Sequence, residues 1–199
     1  MNILILSAAM LVWGGIHSLL ASLEVKEWLR RTTGERLIRF YRLAYNLFSL
    51  LTFLPILWLT AALPDRVLYV IPWPWLGLTL TGQLAAAILV GISVFQTGLF
   101  DFIGLSALIS SRPPERSRLV VTGLYRWVRH PIYSAGLLFI WLAPVMTVNL
   151  LTLYAAATVY IVLGAYYEER KLLREFGMAY ASYRASTPML IPCRGRRKQ

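Results

Sequence analysis

Apolar residues run through this chain in long blocks rather than in the one-face periodicity of a soluble helix, and the charged residues gather between the blocks. A helix needs about 20 apolar residues to cross the hydrocarbon core of a bilayer. Five stretches predict such helices: 2–22, 41–63, 75–100, 132–147 and 148–167. The fourth is short and meets the fifth with no charged residue between them, which predicts a tight helical hairpin; Pro144 near its tip marks where the fourth helix bends or ends. From Glu168 the pattern changes, with Leu172, Leu173, Phe176, Tyr180 and Tyr183 at helical spacing and Arg170, Arg174 and Arg184 elsewhere. That predicts an amphipathic helix lying along the membrane interface and stopped by Pro188 and Pro192. The expected fold is all-α, a polytopic membrane helix bundle of about five transmembrane helices with a C-terminal helical hairpin and an interfacial amphipathic helix. A single integral membrane domain, 1–199, would comprise a three-helix part (1–105), a second part (112–192) and a basic tail (193–199).

Composition agrees with lipid as the surroundings. The 199 residues are 58% hydrophobic and 15% charged with a formal net charge of +11, against roughly 25% charge in soluble chains. Disorder is excluded, and so is a disulfide-stapled secreted domain, because Cys193 has no partner in the chain; it reads as an incidental tail residue. A basic excess this large usually suggests nucleic acid, but its placement points elsewhere. The segment 23–42 holds six Lys and Arg, 64–74 holds Arg66 alone, 101–131 holds five, the hairpin tip none and the C-terminal region eight. With five spans, 19 of the 20 fall on one side. The positive-inside rule makes that side cytoplasmic, in a bacterial inner membrane, with the N-terminus outside and the C-terminus inside. Tyr69, Trp73 and Trp75 suit an aromatic belt at the far interface. The first stretch lacks the basic leader of a signal peptide and contains His17 and Ser18, so it reads as a retained span. The expected partner is the bilayer, not nucleic acid.

Candidate chemistry concentrates at one membrane end. Pro131 fits the first turn of the fourth helix, whose start presents free backbone N–H groups and a partial positive charge. Arg129 and His130 stand immediately before it, so an anionic group would meet an arginine and a helix start together. Taken singly, they also read as a positive-inside anchor, a helix cap and, with Tyr133, an interface aromatic. The hairpin brings Glu168 and Glu169 to the same end, where paired acidic residues are costly unless solvated or partnered. Both signs of charge beneath an apolar hairpin suit a zwitterionic ligand that works beside lipid; a plain salt bridge from Arg129 to a glutamate accounts for the charges equally well. No G-x-G-x-x-G occurs, so a nucleotide cofactor would need another cradle.

These residues carry a resemblance. The run Gly123-x-Tyr125-x-x-Val128-Arg129-His130-Pro131-x-Tyr133, followed by Glu168-Glu169-x-x-Leu172-x-x-x-Phe176-Gly177-x-x-Tyr180-x-x-Tyr183, Pro188 and Pro192, resembles the isoprenylcysteine carboxyl methyltransferase superfamily, which includes phospholipid N-methyltransferases. The likeness covers about 118–192 and implies S-adenosylmethionine bound without a Rossmann domain, in a cytoplasm-facing pocket. The implied cofactor contacts are Arg118, Leu119, Val120, Tyr125, the His130-Pro131-Ile132-Tyr133 stretch and Glu168 with Glu169. Gly164 stands where the prenylcysteine enzymes carry an arginine for the acceptor carboxylate, so a carboxylate acceptor is not expected. His17-Ser18-Leu19-Leu20-Ala21-Ser22, Tyr41-Arg42-Leu43-x-Tyr45-Asn46 and Phe100-Asp101-Phe102-Ile103-Gly104-Leu105 are similar to the NnrU-like and methanethiol S-methyltransferase branch, which implies a small or lipophilic acceptor such as a thiol.

Arg129, His17 and Asp101 are the candidate catalytic residues, the last two as a pair that assists thiol deprotonation. Structural pairing of His17 and Asp101 with Asn46 or Gln96 is the competing reading. No metal site is expected. The alternative functions are an NADPH-dependent membrane reductase of the sterol-reductase type and a prenylcysteine carboxyl or phospholipid N-methyltransferase. A haem protein using His17 and His130 is disfavoured, because His130 sits at a boundary rather than within a span.

Overall fold

The computed structural model describes residues 1–109 and 119–192, including every side chain there except those of Glu35, Arg36, Asp101, Ala107 and Ile109. In order, the elements are α1 (Asn2–Leu20), α2 (Leu23–Thr33), α3 (Glu35–Ile38), α4 (Tyr41–Ala62), β1 (Val67–Val70), α5 (Trp75–Thr97), α6 (Leu99–Ile103), α7 (Ser106–Ile109), a 3₁₀ turn (Gly123–Arg126), α8 (Pro131–Trp141), β2 (Val145–Thr147), α9 (Val148–Phe176) and α10 (Met178–Ser186). Four of them, α1, α4, α5 and α9, are long and apolar enough to cross a membrane. Their surfaces stay apolar and exposed, as at Leu11, Trp58, Leu84 and Phe95. Water would not tolerate so continuous a patch, and lipid does. The fold is therefore the expected all-α polytopic bundle.

The fourth apolar stretch differs in form. Its helix, α8, has 11 residues, about 16 Å, roughly half the hydrocarbon thickness. It ends at Trp141 because Ala143 precedes Pro144, a position that disfavours helical backbone. The chain then extends as β2, which pairs with β1. Ile71 N–H donates to the Pro144 carbonyl at 2.8 Å and Val148 N–H to that of Arg66 at 3.0 Å, so the two strands run antiparallel.

The C-terminal extension also departs from expectation. No new helix begins at Glu168; α9 continues through it to Phe176, 29 residues in all, and breaks at Gly177, whose φ is +54°. The predicted apolar face is thereby divided, with Leu172, Leu173 and Phe176 on α9 and Tyr180 and Tyr183 on α10.

The chain forms two compact units. Residues 1–68, 98–109 and 147–157 make the first. There α1 packs on α4, and Met10, Ile56 and Leu153 form a buried core with Trp13 and Phe53 around it. Asn149, fully buried, donates its amide to the Thr60 and Leu63 carbonyls at 3.3 and 3.2 Å and so closes the end of α4. Residues 69–97, 119–146 and 158–192 make the second unit, where α5 lies along α8 and Gln83 donates to the Phe139 carbonyl at 3.0 Å.

Candidate active site

Every described residue of the two linked motifs falls in the second unit. Pro131 occupies the first turn of α8, with His130 as the residue before it. The His130 side chain is buried and stacks on Tyr133, ring centroids 5.4 Å apart and nearly parallel. The Tyr133 hydroxyl donates to Glu168 Oε2 at 2.7 Å. His130 Nδ1 lies 3.8 Å from that same oxygen and Nε2 3.4 Å from Glu169 Oε1.

The adjacent glutamates do different work. Glu168 keeps 44% of its side chain exposed, whereas Glu169 is buried against Arg129, whose Nε and Nη2 reach Glu169 Oε1 at 2.6 and 2.5 Å. The rest of the Arg129 guanidinium turns to α10: Nη1 donates to the Arg184 carbonyl at 3.0 Å and to that of Thr187. Backbone bonds extend the seam, from Arg129 N–H to Pro188 O (2.9 Å) and His130 N–H to Met189 O (3.1 Å), and Ser134 Oγ adds a bond to Leu190 O at 2.6 Å. Arg129 thus fastens α9, α10 and the segment after it to the start of α8. His130 Nε2 and the Tyr180 hydroxyl are buried within this cluster, the first beside Glu169 and the second beside Arg129.

Tyr125 lies on the 3₁₀ turn. Its carbonyl accepts from the Tyr183 hydroxyl at 2.5 Å, and the Thr97 hydroxyl at the end of α5 donates to the Val94 carbonyl at 3.0 Å. Leu119 borders an open groove of about 500 Å³ facing Tyr183 and Ser186 of α10, and Val120 follows it, half-buried.

Burial and charge set the protonation states. Burial drives the His130 pKa below its ordinary value; both glutamates oppose this, Arg129 reinforces it, and burial prevails, leaving a neutral imidazole. The Tyr125 hydroxyl is pushed up to about 12 by burial and then by the Glu168 charge, and that of Tyr180 to about 12 by burial and then by Glu169. Both phenols are therefore hydrogen-bond donors at neutral pH.

Arg118 and Cys193 lie outside the described residues, as does the Asp101 side chain. His17 belongs to the first unit. Its ring stacks on Trp13 at 4.7 Å and takes the Tyr45 hydroxyl at 2.7 Å from Nε2. Asn46 donates instead to the Phe102 and Ile103 carbonyls, at 3.0 and 2.9 Å, and Gln96 serves the Tyr125 turn. Sequence reasoning considers Gln96 only as a partner for His17 or Asp101 and misses its bond to the Leu124 N–H and the polar setting of Tyr180. The signals were an amide near the end of an apolar span and a Tyr-x-x-Tyr spacing that reads equally well as an apolar face.

The family model described as NnrU protein matches residues 5–142, from α1 to the end of α8. The chain belongs to the NnrU family. Its relatives include methanethiol S-methyltransferase 1 of Bradyrhizobium diazoefficiens, 35% identical over 185 residues, a match covering 89% of this chain and 62% of that protein. The methanethiol S-methyltransferase of Crocosphaera subtropica is 28% identical over 197 residues, covering 91% of this chain and 71% of its own. That of Pseudomonas sp. (strain GM41(2012)) is 31% identical over 188 residues, covering 92% and 70%. This chain thus spans from somewhat under to somewhat over two thirds of these relatives' lengths. No solved structure matches it. The two glutamates differ in their surroundings, Glu168 half-exposed and Glu169 buried against Arg129.

Proposed function

We propose that this chain is an integral membrane methyltransferase that uses S-adenosylmethionine to methylate a small or lipophilic thiol. The observation that carries the reading is the open Glu168–Tyr133 pair beside a buried, neutral His130 at the start of α8, in a relative of methanethiol S-methyltransferases. The residues present fit the cofactor. A half-exposed carboxylate, Glu168, stands beside the start of α8, which matches a ligand bearing ammonium and carboxylate groups. When bound, S-adenosylmethionine supplies an electrophilic methyl on a sulfonium centre.

The chain's own part is binding and alignment, which dominate an in-line displacement. Glu168 would hold the ammonium or the ribose hydroxyls, and the Pro131-Ile132-Tyr133 start of α8 would receive the carboxylate. The faces of Tyr125 and Tyr133 would attract the sulfonium cation. Leu119, Val120 and Ile132 would exclude water. Arg129 and Glu169 act as positioning residues, since their charges are spent on each other and on α10. The basic face is assigned to the cytoplasmic side of a bacterial inner membrane.

The relatives' names favour methyl transfer over an NADPH-dependent reduction. The test is transfer of labelled methyl from S-adenosylmethionine, by the full chain in detergent, to a panel of thiols, phospholipids and prenylcysteine analogues, with calorimetric titration of S-adenosylmethionine and NADPH alongside. Label in the thiols is expected. Binding of NADPH without S-adenosylmethionine, or label confined to phospholipid or prenylcysteine, overturns the reading.

A further inference from the structure

Tyr125 sits on a four-residue 3₁₀ turn, which has little stability of its own. Part of what fixes it comes from the end of α5, where Gln96 Oε1 accepts the Leu124 N–H at 3.1 Å. The seat is close. Gly123 has φ +62°, and a β-carbon built there would meet Gln96 Nε2 at 2.2 Å and Cδ at 2.6 Å, so the turn rests directly on the amide. An amide at the end of an apolar span is costly without a partner, and this one is committed to the turn rather than to another spanning helix. Gln96 therefore grips the turn at its backbone.

Resting on the methyltransferase reading, we propose that Gln96 is a positioning residue that orients Tyr125 toward the methyl donor, acting through the Gly123–Arg126 turn without touching the ligand. Its loss leaves the reacting groups in place and loosens one wall of the donor site. The effect belongs in KM for S-adenosylmethionine and not in kcat.

The experiment measures both constants, and thermal stability, for the full-length protein in detergent with its best thiol. Gln96→Leu is expected to raise KM about 3- to 10-fold, the worth of one hydrogen bond, with kcat within about twofold. Gln96→Glu, which keeps the acceptor oxygen for Leu124, should recover most of that loss. An unchanged KM in Gln96→Leu, or equal losses in the leucine and glutamate variants, overturns the proposal. Absence of S-adenosylmethionine binding by the unmutated protein overturns the underlying reading, which none of the variant results does. Should Gln96→Leu fail to purify, Gly123→Ala and Gln96→Ala decide the question as a pair: strong non-additivity in KM supports direct seating, and additive effects overturn it.

Discussion

Replacing Arg129 by methionine separates a fastening role from a chemical one. The side chains of Arg129 and Glu169 are only 9% and 5% exposed. Removing the guanidinium therefore strands a buried carboxylate whose remaining neighbours are His130 at 3.4 Å and Arg184 at 3.6 Å. Breaking a buried pair in this way costs about 3–5 kcal/mol, whereas replacing both partners with apolar groups of similar size is close to neutral. At about 2–4 °C per kcal/mol for a chain of this length, Arg129→Met should lower the unfolding midpoint by roughly 10 °C. Arg129→Met/Glu169→Leu should recover much of that drop while still lacking the bonds from Arg129 to the Arg184 and Thr187 carbonyls. The assay is thermal unfolding in detergent, with limited proteolysis to report release of the segment after α10. A single variant as stable as the unmutated protein but devoid of methyl transfer would refute the fastening role and return Arg129 to the chemistry. So would a double variant less stable than the single one.

Two further outcomes follow from the same geometry. Glu168→Gln and Tyr133→Phe should each weaken S-adenosylmethionine binding by about tenfold with little loss of stability, because Glu168 is half-exposed and charge-assisted bonds are worth about 1.5–3 kcal/mol; titration calorimetry checks this, and Arg197→Ala serves as the unaffected control. His130 has a folded pKa below its unfolded value of about 6.5, so the unfolded chain binds more protons between the two values. Stability should then be greatest above about pH 6.5 and fall as the pH drops through the folded value. A His130→Gln variant should show a flatter unfolding midpoint between pH 5 and 8.

The four long helices were legible because a bilayer imposes length and apolarity on each segment separately, with no need to know what it touches. The strand pairing was not. Val67-Leu68-Tyr69-Val70 is too short to show a period, and its partner lies some 75 residues further on. The Arg-His-Pro run announced a site, yet nothing local told an arginine that binds ligand from one that closes a seam. That depends on the Arg184 and Thr187 carbonyls, 55 and 58 residues away. The break at Gly177 escaped notice because apolar spacing carries on across it, and the seat that Gln96 gives the Gly123–Arg126 turn because its partner, Leu124, lies 28 residues further on.

Glu168 is carried on the same uninterrupted helix that begins at Val148. Twenty residues at about 1.5 Å each place it about 30 Å along that helix, the thickness of the hydrocarbon layer. The helix is therefore a ruler, and the depth of the carboxylate is written in residue count. One residue inserted between Val148 and Glu168 would turn the carboxylate by about 100° away from Tyr133. A bilayer a few ångströms thicker or thinner poses the same problem from outside, so lipid chain length enters the geometry of the site as a dimension of its own.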